Sequence, residues 1–259
     1  MSEIKKIAFI GSGNVSTHLA EAFANSGIEL VGFFGRNQKT MQEMATQYHS
    51  KWGPVSELKP REVDLIIISV PDHAMEEVLE TLPTVKPLLA HTSGSLSMEI
   101  LQNKGNRLAV FYPLQTFSKE KKVDFSNIPL MLEAHEENDL KLLENLAQKI
   151  SSKVYRINSL QRKKIHIAAV FASNFSNYLY HIAEDLLRRN DIPFEVIQAL
   201  IEETTDKIKK LSPYDAQTGP AVRKDMETIE AHLKDLEEIP EYHEIYKLLS
   251  KYIIQSRKQ

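Results

Sequence analysis

The sequence has no cysteine among its 259 residues, so disulfide bonds, thiolate metal ligands and a cysteine nucleophile are excluded. Neither sign of charge is in large excess, because the sequence has 32 Lys and Arg and 35 Asp and Glu. Non-specific binding to nucleic acid needs a basic surface, so we expect no nucleic-acid partner. The His residues show no paired metal-binding spacing, and we expect no metal site.

Long hydrophobic runs are lacking as well. The longest, around Leu65 to Val70, is far shorter than the ~20 residues that span a bilayer. The apolar stretch between Lys6 and Gly11 is too short for a signal peptide, whose apolar region has about 7–15 residues. The expectation is a cytoplasmic protein without a membrane partner.

Apolar runs alternate with amphipathic segments over the first part of the chain. Val15, Leu19 and Phe23 recur every four residues, which is typical of one helical face. Strands are predicted at residues 7–10, 30–34, 63–70, 88–90, 108–111, 129–132 and 153–157. Strand–helix alternation at this spacing predicts an α/β fold with a mostly parallel sheet.

The pattern changes at Ser159, after which apolar residues keep helical spacing and no strand is predicted. We therefore predict two domains, residues 1–158 and an all-helical domain of residues 159–259. The segment 159–189 carries apolar residues on more than one side. Because such a helix must be buried on several sides, we predict a homodimer formed through the C-terminal helices.

A glycine-rich turn joins the first predicted strand to the first helix. Gly11 and Gly13, with Ser16 in the third small position, come close to the dinucleotide fingerprint G-x-G-x-x-G/A. A helix N-terminus presents unpaired N–H groups to a pyrophosphate. An ordinary glycine turn is the alternative. The predicted cofactor-binding residues of the turn are Gly11, Ser12, Gly13, Asn14 and Val15.

The end of the second strand bears on the choice of cofactor. NAD sites usually have an acid there, about 20 residues after the glycines, whereas this sequence has Arg36 and Asn37 with Lys39 behind them. The nearest acid, Glu29, lies at the beginning of the strand. An arginine can bind a 2′-phosphate through two hydrogen bonds, so we predict NADP rather than NAD. A solvated surface arginine is the alternative.

Five segments carry a family resemblance. They are residues 7–15, His91–Ser95, Pro113–Phe117, Ala172–Asn174 and Thr218–Asp225. Together they resemble the Rossmann-like family called domain of unknown function 2520, within the superfamily of 6-phosphogluconate dehydrogenase and pyrroline-5-carboxylate reductase. The resemblance implies a Rossmann-like N-terminal domain and a helical C-terminal domain that often dimerises. It implies no substrate.

Two positions depart from the relatives. The resembled family usually has His at the position of Tyr112, and tyrosine does not titrate near neutral pH. β-Hydroxyacid dehydrogenases place a catalytic Lys one turn before an Asn. If Asn174 is that Asn, the Lys position holds Val170, and the usual proton donor is missing.

Other candidate residues follow the ends of predicted strands, where ligands bind doubly wound sheets. Thr92 and Ser93 could hydrogen-bond the nicotinamide or a substrate carbonyl, although ordinary turn chemistry is the alternative. Asp72 is predicted to cap the following helix, and an acid in the active site is the alternative. Further cofactor contacts are predicted at Val70 and Pro71 and further substrate contacts at His91, Gly94, Gln115 and Thr116.

The long helix contributes the remaining catalytic candidates. His166 lies two turns before Ser173, so the two share a face with Asn174 on its flank. A neutral histidine can act as acid or base, and a structural histidine is the alternative. Thr218 and Arg223 are predicted to contact substrate at a helix entry, where a compensating partner such as Asp225 is the alternative.

These features favour an NADP(H)-dependent oxidoreductase, a reductase or dehydrogenase, that acts on an unknown small molecule between the two domains. His166, Asn174 and Ser93 are its candidate catalytic residues. A non-catalytic NADP-binding sensor or scaffold of the same fold is the alternative, favoured by the missing lysine. A pyrroline-5-carboxylate reductase is disfavoured because its Ser/Thr/Gly-rich C-terminal signature is not evident.

Overall fold

The computed structural model describes residues 3–118 and 121–257. Within them lies one eight-stranded sheet with strand order β3-β2-β1-β4-β5-β6-β7-β8. Neighbouring strands run parallel, except that β6 and β7 are antiparallel. The strands are β1 Lys6–Ile10, β2 Glu29–Phe34, β3 Lys51–Gly53, β4 Leu65–Ile68, β5 Leu88–His91, β6 Leu108–Pro113, β7 Leu130–Ala134 and β8 Val154–Arg156. The predicted α/β class with a mostly parallel sheet is confirmed.

Helices cover both faces of the sheet. They are α1 Asn14–Asn25, α2 Gln38–Gln47, α3 Met75–Thr81, α4 Glu137–Ala147 and α5 Ser159–Ala169. Side chains of β1 alternate between the two faces, so Ile7 and Phe9 join one apolar core while Ala8 and Ile10 join the other. Burial on both faces explains why the central strands are continuously apolar in sequence.

The edge strand β3 was not predicted. It is three residues long and only Gly53 is buried, so it lacks the apolar run that marks the central strands. The predicted strand at 63–70 is shorter in the structure, where β4 ends at Ile68. The residues after it, from Ser69, form the loop that leads to α3.

The chain divides into two compact units, Met1–Asn174 and Phe175–Gln259. Helix α5 begins at Ser159, where the sequence pattern changes, yet it belongs to the first unit. Arg162 explains this, because its side chain is 1% exposed and donates to the carbonyl oxygens of Ser93 and Leu96. The first unit therefore extends beyond residue 158, at which the strand pattern ends.

A π-helical segment, Val170–Phe175, follows α5 and leads into α6. Every regular secondary-structure element among the described residues of the second unit is a helix, as predicted. Its helices are α6 Ser176–Arg188, α7 Gln198–Lys207, α8 Pro213–Ala216, α9 Pro220–Arg223, α10 Met226–Asp235 and α11 Pro240–Ser256. The buried carboxylate of Asp185 accepts hydrogen bonds from Arg188, Arg189 and Tyr242 and links α6 to α11.

No helix in the described part of the chain is long and apolar enough to cross a membrane. The same residues contain no group of three or more His, Asp and Glu side chains that could hold a metal ion.

Candidate cofactor and active site

The glycine turn after β1 is held between two neighbouring strand ends. Gly11 donates its N–H to the carbonyl of Phe34 at 2.9 Å. Its φ is +109°, and a Cβ there would lie 2.2 Å from the backbone oxygen of Ser69. Because that contact is with backbone, no larger residue fits without moving a strand end. Gly11 therefore sets the tight path from β1 into α1.

The N-terminus of α1 has neither a side-chain cap nor a negative charge beside it. Gly13 is its N-cap, no side chain caps the helix, and no acid stands in the first turn. The first N–H groups of α1 thus lack a side-chain acceptor. A Cβ on Gly13 would meet nothing within 4 Å, so the approach to these groups is open. An uncapped, open helix N-terminus directly after a parallel strand fits the pyrophosphate of a dinucleotide.

The turn opens onto a cavity of about 480 Å³. Seven of the ten predicted cofactor residues line it, namely Gly11, Ser12, Gly13, Arg36, Asn37, Val70 and Pro71. Asn37 also caps α2, because its side chain accepts the N–H of Thr40. The topology explains this grouping, since β1 pairs with both β2 and β4 and the loops after all three strands meet at one edge.

The other three predicted cofactor residues have different neighbours. Asn14 donates its side-chain amide to the carbonyl of Phe117 at 2.7 Å and so holds the loop after β6. Val15 packs against the apolar core. The hydroxyl of Thr92 donates to Ser69, itself a cavity residue, at 3.2 Å. Cofactor contact by these three stays a prediction.

Glu77 is a cavity residue that the sequence analysis missed. It lies on α3, and both of its carboxylate oxygens accept from Nη1 of Arg36, at 2.9 and 2.7 Å. The expectation of an acid in an NAD site concerned only the end of β2. The sequence signal that could have located Glu77 is its position in the helix after β4, the strand that flanks β1 on the other side.

At the end of β5, His91 is fully buried. Its Nδ1 accepts the N–H of Ser93 at 3.1 Å, and its Nε2 meets no well-formed hydrogen-bond partner among the described residues. Burial, together with the positive charge of Arg162, lowers the pKa of His91 to about 4. The imidazole is therefore neutral at pH 7 and shielded from solvent, and its predicted contact with substrate stays a prediction.

Ser93 is committed to a turn. Its hydroxyl oxygen accepts the N–H groups of Ser95 and Leu96, at 3.1 and 3.0 Å. The prediction for Asp72 was wrong, because its side chain caps no helix and instead accepts a hydrogen bond from the hydroxyl of Ser95. The reason is tertiary, since the loop after β5 places the Ser95 hydroxyl against this carboxylate, and the N-cap of α3 is Ala74. Ser93 keeps its catalytic assignment only as a prediction.

Tyr112 and His166 form a polar pair over Gly94. The tyrosine hydroxyl and Nδ1 of His166 are 3.0 Å apart. A Cβ on Gly94 would lie 2.6 Å from that nitrogen and 2.9 Å from the Tyr112 ring, so only glycine lets the two side chains approach this closely. Burial raises the pKa of Tyr112, which keeps its hydroxyl protonated and able to donate to Nδ1. If the hydroxyl is the donor in this contact, a neutral His166 has its proton on Nε2, where it can be donated to a ligand.

An ion pair between Arg162 and Glu133 holds the first turn of α5, the helix that carries His166. Neither residue was predicted from the sequence. Glu133 accepts from Nη1 of Arg162 and from the N–H and hydroxyl of Ser159. Arg162 also holds the carbonyl of Ser93 at 3.1 Å. A buried arginine gives no periodic signal, so only the fold reveals it. This network positions His166, one turn further along α5.

The remaining predicted residues are not joined to these groups by any hydrogen bond that we find. Asn174 is exposed and lies in the π-helical segment. With the wider π turn, the residue one turn before it is Ala169 rather than Val170, and neither supplies the missing lysine. The side-chain oxygen of Gln115 accepts the N–H of Thr116, and both residues are exposed.

Thr218 and Arg223 belong to the second unit. Arg223 ends the four-residue helix α9, and its charge helps to lower the pKa of Asp225, which caps α10 and whose main stabilising contact is the N–H of Thr228. Among the described residues, the side chains of Arg223 and Asp225 form no ion pair, so compensation of Arg223 by Asp225 stays an alternative. Substrate contact by Thr218 and Arg223 stays a prediction.

Two families and several solved structures are similar to this chain. Residues 128–253 match the family described as Domain of unknown function (DUF2520), and residues 6–92 match the family described as NADP oxidoreductase coenzyme F420-dependent. No curated protein matches the chain. A candidate NADP oxidoreductase, BF3122 from Bacteroides fragilis, is 37% identical with a TM-score of 0.90, and the match covers 98% of each chain.

Two further structures share the fold. Protein TM1727 from Thermotoga maritima is 27% identical with a TM-score of 0.71, covering 98% of this chain and 100% of that one. A reductive aminase from Aspergillus terreus, solved with NADPH, is 12% identical with a TM-score of 0.72, covering 99% of this chain and 94% of the aminase. The sheet and helices described above thus have the fold of nicotinamide-dependent oxidoreductases.

Proposed function

The chain belongs to the family described as Domain of unknown function (DUF2520), and we propose that it is an NADP(H)-dependent oxidoreductase that acts on a small molecule. One observation carries the proposal. The open, uncapped N-terminus of α1 and the guanidinium of Arg36 line the same cavity, as the pyrophosphate and 2′-phosphate of NADP require. The NADPH bound to the reductive aminase of the same fold supports the choice of cofactor.

In this proposal the residues around the cavity bind the cofactor and His166 acts on the substrate. The α1 N-terminus binds the pyrophosphate, and Arg36 binds the 2′-phosphate. Bound NADPH supplies the hydride. A carbonyl or imine carbon that accepts hydride needs a hydrogen-bond or proton donor on its heteroatom. In the absence of the lysine used by other dehydrogenases, we assign this donor to Nε2 of His166, whose tautomer is set by Tyr112.

Asn174 and Ser93 are secondary candidates for the same task. Asn174 is exposed, whereas the hydroxyl of Ser93 already serves the turn after β5. A second copy of the chain is the proposed protein partner, because large apolar side chains of the helical unit face solvent. The proposed partners are therefore a small-molecule substrate and a second copy of the chain.

Cofactor binding is tested by calorimetric titration with NADPH and NADH. We expect about a 10-fold preference for NADPH, equal to about 1.4 kcal/mol, because Arg36 can pair with the extra phosphate. Arg36→Asp should erase or reverse this preference. Equal affinities for the two nucleotides in the parent protein would contradict the assignment of Arg36.

Catalysis is tested by NADPH oxidation against keto acids, aldehydes and imines. His166→Ala and Asn174→Ala should each lower turnover, by about 10²–10³-fold where the donor acts directly, and leave NADPH affinity unchanged. Tyr112→Phe keeps the ring and removes only the hydroxyl that orients His166, so its effect should be smaller. Full activity in both alanine variants would remove these residues from the mechanism. Binding of NADPH without oxidation of it across the panel would favour the non-catalytic sensor.

A further inference from the structure

We propose that Glu77 is a specificity-determining residue, which weakens the preference of the cavity for a 2′-phosphate over a free 2′-hydroxyl. The inference rests on the proposed function. The end of β2 lacks the acid that NAD sites use to hold the ribose hydroxyls. In the folded chain a carboxylate nevertheless lies in the same cavity, because α3 brings Glu77 to Arg36.

The side chains of Arg36 and Glu77 are in direct contact, and an anionic ligand could replace Glu77 in this contact. Nη1 of Arg36 lies 2.9 and 2.7 Å from the two carboxylate oxygens of Glu77. The side chains are 72% and 58% exposed, and ion pairs this exposed contribute little to stability. A ligand with a stronger negative charge can therefore compete for the arginine.

Arg36 also has hydrogen-bond donors that Glu77 does not use. Its Nε and Nη2 make no hydrogen bond with any residue that the structure describes. A 2′-phosphate could bind this free edge of the guanidinium while Glu77 keeps Nη1, or it could displace Glu77 altogether. In the first case a carboxylate and a phosphate share one cation, and in the second the carboxylate is left unpaired beside the phosphate.

Both cases reduce the affinity for NADP(H). Like charges a few ångströms apart repel, whereas a 2′-hydroxyl can donate a hydrogen bond to the same carboxylate. Glu77 therefore opposes the phosphate and tolerates or assists the hydroxyl. Lys39 lies in the first turn of α2 but forms no ion pair with Glu77 among the described residues, so Arg36 is the cation that this carboxylate contacts.

The neighbouring Glu76 supplies a matched control. It is exposed, carries the same charge and lies on the same helix, yet it does not line the cavity. Glu76→Gln and Glu77→Gln change the net charge of the protein equally. A difference between them isolates the position of the carboxylate from the general effect of removing one negative charge.

The experiment is calorimetric titration of the parent protein and both variants with NADPH, NADH and 2′,5′-ADP, a fragment that contains the phosphate but no nicotinamide. In Glu77→Gln we expect NADPH and 2′,5′-ADP to bind about 5-fold more tightly and NADH no more tightly than before. Glu76→Gln should change each affinity by less than about 2-fold. The gain should shrink at high salt, where exposed charges are screened.

The outcomes separate the two proposals. If the parent binds both nucleotides and Glu77→Gln leaves their affinity ratio unchanged, Glu77 does not determine specificity, while the proposed function stands. If Glu77→Gln weakens NADPH binding, Glu77 instead positions Arg36 for the phosphate and the inference is overturned. If the parent binds neither nucleotide, the proposed function fails and the inference fails with it.

Discussion

The two compact units of this chain bury their apolar residues very differently. The α/β unit fills both faces of its sheet with fully buried side chains, such as Phe9 and Ile67. Among the described residues of the helical unit, the only buried apolar side chains are Ala221, Ile229 and Leu236. A sheet covered on both faces makes its own core, whereas these helices do not make one large enough for themselves.

Many large apolar side chains of the helical unit are exposed to solvent. Those of the helical unit that are at least 40% exposed include Tyr178, Leu179, Ile192, Val196, Leu200, Ile208, Leu211, Tyr214, Met226, Leu248, Leu249 and Tyr252. Where exposed apolar side chains form a contiguous patch, the patch often marks a contact surface between proteins. The comparison indicates that the α/β unit is stabilised from within, and we propose that the helical unit is stabilised by a second copy.

The ion pairs of the two units also differ in how deeply their arginines are buried. The Arg162 side chain is 1% exposed and pairs with Glu133, whereas Arg188 is 75% exposed and pairs with Asp185. We expect Arg162→Leu to lower the free energy of unfolding by about 3–5 kcal/mol, because Glu133 and two backbone carbonyls lose a buried partner. Arg188→Leu should cost at most about 1 kcal/mol, since Arg189 still holds Asp185.

Urea denaturation can resolve the two units in this test. Trp52, the single tryptophan, lies in β3, so its fluorescence reports on the α/β unit, whereas circular dichroism reports on the helices of both. The shift for Arg162→Leu should appear in the fluorescence transition. Equal shifts for the two leucine variants would break the comparison.

As the pH falls, we expect the α/β unit to lose stability at a higher pH than the helical unit. His91 has an ordinary pKa of 6.5 when unfolded and about 4 when folded, so the unfolded chain binds the extra proton between these values. Stability therefore falls as the pH drops from about 6.5 to about 4, by about 3 kcal/mol in total. In the helical unit the hydrogen bond from Arg189 lowers the pKa of Asp185, so stability from that carboxylate is lost only at still lower pH.

The check is a pair of urea titrations at pH 7 and pH 4, followed by Trp52 fluorescence. His91→Asn removes the titrating group and retains an acceptor for the N–H of Ser93, so it should be less sensitive to this pH change than the parent. A parent and variant with the same pH dependence would show that burial of His91 contributes nothing to acid sensitivity.

A third expected effect concerns the exposed helices and is smaller than those expected for Arg162 and His91. Leu200→Lys places a charge on the apolar surface of α7 and should weaken the homodimer about 30-fold, or by about 2 kcal/mol. Gln198→Lys adds the same charge about 200° away around the helix and should have less effect. Sedimentation over a range of concentrations measures both. A parent protein that stays monomeric at every concentration would exclude the dimer.

The prediction of the fold succeeded where local pattern and burial coincide. Central strands such as β1 and β4 are apolar because both of their faces are covered, so the sequence alone locates them. The edge strand β3 has no such pattern and was missed. The π-helical segment has no composition of its own, and helical periodicity continues across it in the sequence.

For the candidate site, the sequence by itself determined the glycine turn, Arg36 and the missing lysine, because a strand, a turn and a helix that are adjacent in the chain are adjacent in space. Only the tertiary structure decided that Glu77 meets Arg36 and that Tyr112 meets His166. These partners lie 41 and 54 residues apart along the chain. The parallel order of the sheet brings the loops after β1, β2 and β4 to one edge, and no short-range pattern contains that order.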